Sequence, residues 1–518
     1  MTVREPGSMG RIAVVGATGY LGGRLVAELL REGFLVRAVA RSVEKMRCRP
    51  YAASDRLEIA RADARIEEEL TRALNGCSSC FWLISDAGRS NDPGGRMIAA
   101  ARNLVRSARI ANLSRIIYLG PPHRGAGPGL SPDVHGSGDP GWILTSGTVP
   151  VTWLRTAMII GSGSASFEIL RYLTERLPLM VAPRWVRNPI RPIAVSDVIH
   201  YLTACIRSPE TSGLISDIGG PDVLSFRDLV DIYAEAAGLP KRLVADLPVN
   251  ARVGSAYWIN LVTPVPFDLA RSVVENIEDG SAVLDDPIAA ILPLPLMSVR
   301  EAIGIALQKV EQQEIESCWS DAGGLRPPEW LTCGDAGFAG GQVLDCSYRI
   351  LLDCPPERVW KVLRSVGGRQ GWFYGDILWK LRGGLDRLLG GVGLSRGRRS
   401  VRDLRTGDAV DFWRVLLADE NSRLILLAEM KVPGEAVLQF SLHPSGSGCE
   451  LIQIARFLPR GLSGLLYWYS MAPFHDYLFK GMLSTIARQC RCSIIEGPGP
   501  FQGGEQICRL PEHWGEAD

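Results

Sequence analysis

The residues Gly16-Ala17-Thr18-Gly19-Tyr20-Leu21-Gly22 carry the clearest chemistry in the chain. They follow the apolar run Arg11–Val15 and open Leu21–Arg31, a stretch with helical periodicity. Glycine at 16 permits a sharp strand-to-helix turn. Glycine at 19 lets the backbone approach a pyrophosphate, and glycine at 22 lets the helix pack close to the sheet. Unpaired N–H groups at such a helix start attract phosphate. Gly16, Thr18, Gly19, Tyr20, Leu21 and Gly22 are therefore candidate dinucleotide-binding residues. The second strand ends Val39-Ala40-Arg41-Ser42. An acidic residue there would hold a ribose 2′-hydroxyl, whereas Arg41, with Ser42, suits a 2′-phosphate, so NADP(H) is expected ahead of NAD(H). The alternative is a solvated arginine in a chain rich in them, since only 7 of the 57 basic residues are lysine. Asp63 follows the third strand, where an adenine amino group would lie, or else caps the next helix. Ser85, beyond the fourth strand, completes the candidate cofactor set.

The elements that must position these residues alternate. Strand-like runs at Arg11–Val15, Leu35–Ala40, Leu57–Ala60, Phe81–Ile84, Arg115–Leu119 and Val151–Arg155 are separated by helical stretches such as Ile66–Leu74 and Met97–Ala111. This order predicts a doubly wound parallel α/β sheet, the Rossmann arrangement. Further helices are expected at Ala165–Arg176, Asp197–Arg207, Phe226–Ala237 and Val299–Gln312. Residues 313–342 are rich in turn formers and read as a linker. Beyond it the pattern becomes α+β: a strand at Val343–Leu352, a helix at Pro355–Val366, strands at Ala409–Leu416, Arg423–Lys431, Ala436–His443 and Glu450–Phe457, and a long helix, Leu462–Arg488, interrupted at Pro473. The expected division is a tail at 1–9, a dinucleotide-binding domain at 10–312, the linker, a second domain at 343–492 and a disordered tail at 493–518.

Composition narrows the function classes. At 518 residues, 46% hydrophobic and 22% charged, the chain is of ordinary globular character and long enough for several domains. A net charge of +1 argues against a nucleic-acid binder driven by bulk charge. The longest uncharged runs fall short of the roughly 18 residues of a spanning helix, so no transmembrane segment is expected. The N-terminus lacks an export signal's apolar stretch, which points to a cytoplasmic location with reduced cysteines. Cys77 and Cys80 form a C-x-x-C, but Cys80 runs into the apolar Phe81-Trp82-Leu83-Ile84 and reads as a buried strand residue. Cys490 and Cys492 have no histidine at zinc-ligand spacing, and no metal site is expected.

Together these stretches resemble the short-chain dehydrogenase/reductase superfamily, in its atypical, NmrA-like NAD(P)H-binding branch. GATGYLG, VRAVARS, RADA, RIIYLG and RPIAVSDVIHYL carry the resemblance over residues 10–310. The second half is similar to the extra domain of a bacterial subfamily, through GLDRLLGGVGLSRGRR and GDAVDFWRV. That domain resembles the SRPBCC or helix-grip fold, which implies an antiparallel sheet gripping a C-terminal helix around a hydrophobic cavity.

The departures from that family concern catalysis. Its members reduce carbonyls with a Tyr-x-x-x-Lys pair and a serine, but no lysine lies between Lys45 and Lys241. Tyr172 and Arg176 give a Y-x-x-x-R on a later helix and read as surface decoration. The fifth strand ends at Gly120, where the serine is usual. Residues 120–141 hold seven glycines and five prolines, too many for the helix that presents such a pair. Two histidines in that loop, His123 and His135, are the candidate proton donors, the alternative being a loop without chemistry.

In the second half, aromatics such as Trp372, Trp379, Trp413, Tyr467, Trp468 and Phe479 read as core or as the lining of an apolar ligand site. His475 reads as a satisfied core histidine, with a polar anchor in a cavity as the sharper alternative. Arg382, Arg387 and the run Arg396–Arg399 beside Leu385–Leu389 read as a solvated face or as a contact with anionic lipid headgroups. The chemistry expected is NADPH-dependent oxidoreduction or isomerisation of a hydrophobic substrate. A non-catalytic NADP-binding sensor or assembly factor and a lipid or isoprenoid carrier are the alternatives.

Overall fold

A computed structural model describes residues 10–47, 49–84, 93–122, 140–247, 252–263, 265, 267–278, 286–311, 343–388, 391–396, 398–400, 403–446, 448–459 and 461–501. The chain divides into two compact units, Met1–Gly324 and Leu325–Asp518.

The first unit is built on β1 (Arg11–Val15), β2 (Val36–Ala40), β3 (Leu57–Arg61), β4 (Cys77–Trp82), β5 (Arg115–Gly120), β6 (Val151–Arg155) and the short strand Ile215–Asp217. From one edge the order is Ile215–Asp217, β6, β5, β4, β1, β2, β3, and every pairing is parallel. Chain order reverses between β1 and β4, so the carboxyl ends of these strands flank the crevice where such sheets take their ligands. Both faces of the sheet are covered. Ile12 and Val14 pack with Leu25 and Val26 of α1 (Tyr20–Arg31), while Ala13 and Val15 pack on the opposite face with Leu104 of α4 (Pro93–Ile110). A fully buried strand therefore reads as a continuous apolar run, and each buried valine, leucine or isoleucine contributes roughly 1.5–3 kcal/mol. A further cluster unites the helices Ala165–Arg176, Phe226–Ala236, Phe267–Glu278 and Val299–Glu311 around Phe167, Leu229 and Tyr233.

The second unit is an antiparallel sheet in the order Ala409–Val410, Trp413–Asp419, Arg423–Ala428, Gly434–Ser445, Gly448–Pro459, Leu344–Leu352, Ile494–Pro500. The helices Pro356–Leu363 and Gly461–Cys490 share one core with it, through Val359, Trp360, Met482, Leu483 and Ile486.

Several expectations are corrected here. Residues 494–500 form an edge strand paired with Leu344–Leu352, so the expected disordered tail begins with ordered structure. Their turn-forming composition hides a strand that main-chain pairing stabilises. The helix Gly461–Cys490 runs through Pro473 without interruption. Proline removes the bond to the carbonyl four residues back, and Tyr469, which owns that carbonyl, is exposed. The expected strand Ala409–Leu416 breaks at Asp411, whose φ of 54° lies in the left-handed region. Cys354 and Cys492, expected as thiols, form a disulfide with Cα atoms 5.8 Å apart. The 313–342 stretch lies outside the described residues.

Candidate functional site

The turn between β1 and α1 is where the sequence restricts the backbone most tightly. Gly16 has φ +92°, and a Cβ there would stand 2.8 Å from the Leu83 carbonyl oxygen just beyond β4. The Gly16 and Ala17 N–H groups both donate to the Val39 carbonyl, at 3.1 and 3.3 Å. A Cβ on Gly22 would stand 2.2 Å from the Gly16 carbonyl oxygen, so this glycine sets how closely α1 approaches the turn. Gly19 is the N-cap of α1 and supplies no side-chain acceptor, and the first turn contains no acidic residue. The leading N–H groups and the positive end of the helix dipole thus face the strand-order reversal, an arrangement that favours an anion.

Neighbouring candidates have distinct places. Thr18 is buried and Leu21 half-buried against the α1 core. Tyr20 has the Arg24 guanidinium 4.9 Å from its ring centre, and its hydroxyl sits where a Cβ on Gly161 would be, at 2.5 Å. Arg41 follows β2 and is exposed, while Ser42 is buried. Lys45, which sequence reasoning passed over, is buried on α2 (Val43–Arg47), one turn beyond Arg41.

Asp63 is not a helix cap. The N-cap of α3 (Glu67–Leu74) is Ile66, with no side-chain hydrogen bond. The Asp63 carboxylate instead accepts from the Arg65 N–H at 3.0 Å and from its guanidinium Nε at 2.9 Å. Burial pushes its pKa up, but the hydrogen bonds and charge of Arg65, with Arg41 further off, outweigh this and hold it below the usual carboxylate range. Ser85, His123 and His135 lie outside the described residues.

The crevice continues at β5 and β6. The Thr156 N–H donates to the Gly120 carbonyl at 3.1 Å, and the Thr156 hydroxyl is buried with no hydrogen-bond partner among the described residues. Sequence reasoning missed this threonine, since its one signal is a hydroxyl directly after a buried strand. Beside it, Arg155 pairs with Asp217 at 2.6 Å.

Tyr172 corrects another expectation. It is 9% exposed, with the Arg171 and Arg176 guanidinium carbons 4.1 and 4.3 Å from its ring centre, so it is an inward residue held between two cations. Burial raises its phenol pKa despite those charges. A tyrosine activated for proton transfer needs the opposite shift.

The second unit encloses an apolar cavity of about 270 Å³ between the sheet, the helix Asp376–Leu388 and the helix Gly461–Cys490. Its walls include Trp379, Leu438, Phe457, Trp468 and Phe479. Two polar atoms among its lining residues, Trp413 Nε1 and His475 Nδ1, are buried with no hydrogen-bond partner among the described residues. His475 is thus not the satisfied histidine expected. Its ring stacks on Phe479 at 5.1 Å and lies 5.0 Å from Trp468, and burial brings its pKa down to about 4.

The basic run nearby is also reassigned. Arg398 donates to the Val366 carbonyl at 2.8 Å and to the Asp403 carbonyl at 3.1 Å. Arg399 forms a two-point pair with Asp408 at 2.9 and 3.0 Å. These two arginines tie loops together rather than forming a solvated face. Beneath them Asp411 is buried, accepting from Trp372 Nε1 at 2.9 Å and the Gly368 N–H at 3.1 Å, and desolvation raises its carboxyl to about 6. Cys77 and Cys80 are buried and free in β4. Among the described residues, no group of three or more His, Cys, Asp and Glu could hold a metal ion.

Comparison with known proteins accords with the two-unit division. Residues 16–128 match the NAD(P)H-binding family, and residues 339–482 match a family described as protein of unknown function (DUF2867). Cinnamoyl-CoA reductase 1 of Oryza sativa subsp. japonica is 31% identical over 113 residues, 21% of this chain and 33% of that protein. Dihydroflavonol 4-reductase of Hordeum vulgare is 34% identical over 98 residues, 18% and 28% of the respective chains. The chain spans about a third of the length of these curated relatives. Among solved structures, Citrobacter sp. triphenylmethane reductase complexed with NADP(H) is 21% identical, covers 57% of this chain and 99% of that one, and has a TM-score of 0.45. An NADPH-dependent quinone oxidoreductase of Escherichia coli, complexed with NADPH, is 18% identical with the same TM-score, over 56% and 98% of the two chains.

Proposed function

We propose that this chain, whose first unit is an NAD(P)H-binding Rossmann domain, is an NADPH-dependent oxidoreductase acting on an apolar substrate taken up by the second unit. The observation that carries the reading is the uncapped start of α1 at the strand-order reversal, closed in by Gly16 and Gly22. That cradle fits a pyrophosphate. Tyr20, Leu21 and Gly22 would offer it their N–H groups, and Arg41 together with Lys45 would meet a 2′-phosphate. When bound, the cofactor supplies hydride. Thr156, whose hydroxyl has no partner among the described residues, is the candidate to orient the nicotinamide amide or a substrate oxygen. The proton would come from water or from His123 or His135. The cavity lined by Trp379, Trp468 and Phe479 supports the apolar substrate, and the helix-grip resemblance supports its location.

Calorimetric titration of NADPH and NADH tests the cofactor preference. Loss of a charge-assisted 2′-phosphate contact costs about 1.5–3 kcal/mol, so Arg41→Ala should weaken NADPH by roughly ten- to a hundredfold and leave NADH unchanged. Equal wild-type affinities overturn the assignment to NADP. Turnover is tested by NADPH oxidation against a panel of apolar ketones, enones and quinones.

A second reading is a non-catalytic NADP-binding sensor. The absent Tyr-x-x-x-Lys pair and the raised phenol of Tyr172 favour it. Tight NADPH binding without turnover on any substrate of the panel would establish it.

A further inference from the structure

The helix Asp376–Leu388 exposes an apolar stripe that no described residue of the second unit covers. Ile377 is 80%, Leu381 70%, Leu385 52% and Leu388 75% exposed. Their spacing of four, four and three residues places them on one side of the helix. Lys380 and Arg387 flank that side on one edge and Arg382 on the other. Of the helix's two carboxylates, one is turned away from the stripe. Asp386 is fully buried and accepts from the Gly393 and Lys431 N–H groups at 2.8 and 2.6 Å. Asp376 begins the helix and accepts from the Trp372 N–H at 3.0 Å.

A second stripe lies alongside. Leu466, Tyr469 and Tyr477 of Gly461–Cys490 are all more than half exposed, and residues 461–475 contain no charged side chain. The two helices meet where the Arg382 guanidinium carbon stands 5.7 Å from the Tyr467 ring centre. Leu381, Leu385 and Phe474 are both exposed and part of the cavity lining, so the cavity opens at this face.

We propose that this face docks on an anionic bilayer surface, with Asp376–Leu388 lying in the interfacial plane and the cavity mouth turned toward the lipid. Leucine and isoleucine would enter the headgroup–acyl boundary, tyrosines would sit at headgroup depth, and Lys380 and Arg382 would meet lipid phosphates. Charge selects this occupant over a second copy of the chain. Two such faces brought together would oppose like cations across a low-dielectric contact, whereas an anionic membrane complements them. The proposal is independent of the nucleotide assignment in the first unit.

Vesicle flotation of the full-length protein tests it, with phosphatidylcholine alone and with phosphatidylcholine mixed with phosphatidylglycerol. The protein is expected to float with the anionic vesicles and to release as salt is raised. Leu381→Ser/Leu388→Ser and Lys380→Glu/Arg382→Glu should each cut the bound fraction about tenfold or more. Leu381, Leu388 and Lys380 are exposed and Arg382 is half-buried, and an unchanged melting temperature and NADPH titration verify folding. No flotation, or flotation indifferent to both pairs, overturns the proposal. So does a dimer in sedimentation velocity that Leu381→Ser/Leu388→Ser dissolves, since the face would then serve a second copy.

Discussion

Acidification should act on two buried groups of the second unit in opposite directions. His475 is held near pKa 4 by burial, below its ordinary value of 6.5. The unfolded chain takes up its proton first, so the stability His475 confers is present above pH 6.5 and is lost as pH falls toward 4. At 1.36 kcal/mol per pKa unit, moving from pH 8 to pH 5 removes ~2 kcal/mol. This is an upper bound, because the ring is not wholly enclosed. Asp411 is raised from 3.8 to about 6. The folded chain takes up that proton first, so its contribution is present below pH 3.8 and is lost as pH rises toward 6. Over the same acidification it returns ~1.4 kcal/mol. The two nearly cancel in the native protein and separate in variants. His475→Phe keeps the stack on Phe479, and Asp411→Asn keeps an acceptor for Trp372 Nε1 at a left-handed position that asparagine tolerates. Relative to wild type, His475→Phe should gain stability on going from pH 8 to pH 5, and Asp411→Asn should lose it. Urea unfolding followed by tryptophan fluorescence at both pH values measures this. Parallel pH profiles for the two variants would refute the reasoning.

Two further outcomes are expected. Gly22→Ala places a Cβ 2.2 Å from the Gly16 carbonyl oxygen, so it should push α1 off the turn, cost about 1–3 kcal/mol and abolish NADPH binding measured by calorimetry. Tyr172→Phe keeps the ring between Arg171 and Arg176, so it should change stability by about 1 kcal/mol or less and leave NADPH turnover intact. Turnover lost in that variant alone would make the tyrosine catalytic.

The first unit was legible because a parallel sheet covered on both faces leaves a local trace: apolar runs for β1, β2 and β5, and 3.6-residue periodicity between them. The nucleotide turn was legible for a similar reason, since Gly16 answers to its own φ of +92° and Gly22 to the Gly16 carbonyl six residues back. What escaped depends on partners distant in sequence. Tyr172 looked superficial because arginines flank it on its own helix, yet their guanidinium groups lie over its ring and the helix is buried on several sides. The strand Ile494–Pro500 exists only through its pairing with Leu344–Leu352. Arginine was the most misleading residue type. Arg115 is 6% exposed and donates to the Cys205 and Ser208 carbonyls and to the Thr152 hydroxyl, a role that no local pattern announces. His475 could not be told from a satisfied core histidine, because satisfaction is a property of the surrounding walls.

The Cys354–Cys492 bond joins residues 138 apart and turns most of the second unit into a covalent ring. Pulled from its ends, such a chain cannot thread out as a single strand. At about 3.4 Å per residue, ~470 Å of contour stays locked inside the loop. A processive unfoldase drawing on the C-terminus would meet the ring soon after the edge strand peels away, and would have to drag a doubled chain through its pore or stall. A nick anywhere inside the loop leaves both pieces joined until the bond is reduced. Resistance to mechanical extraction is therefore set by redox state, through a single pair of sulfur atoms.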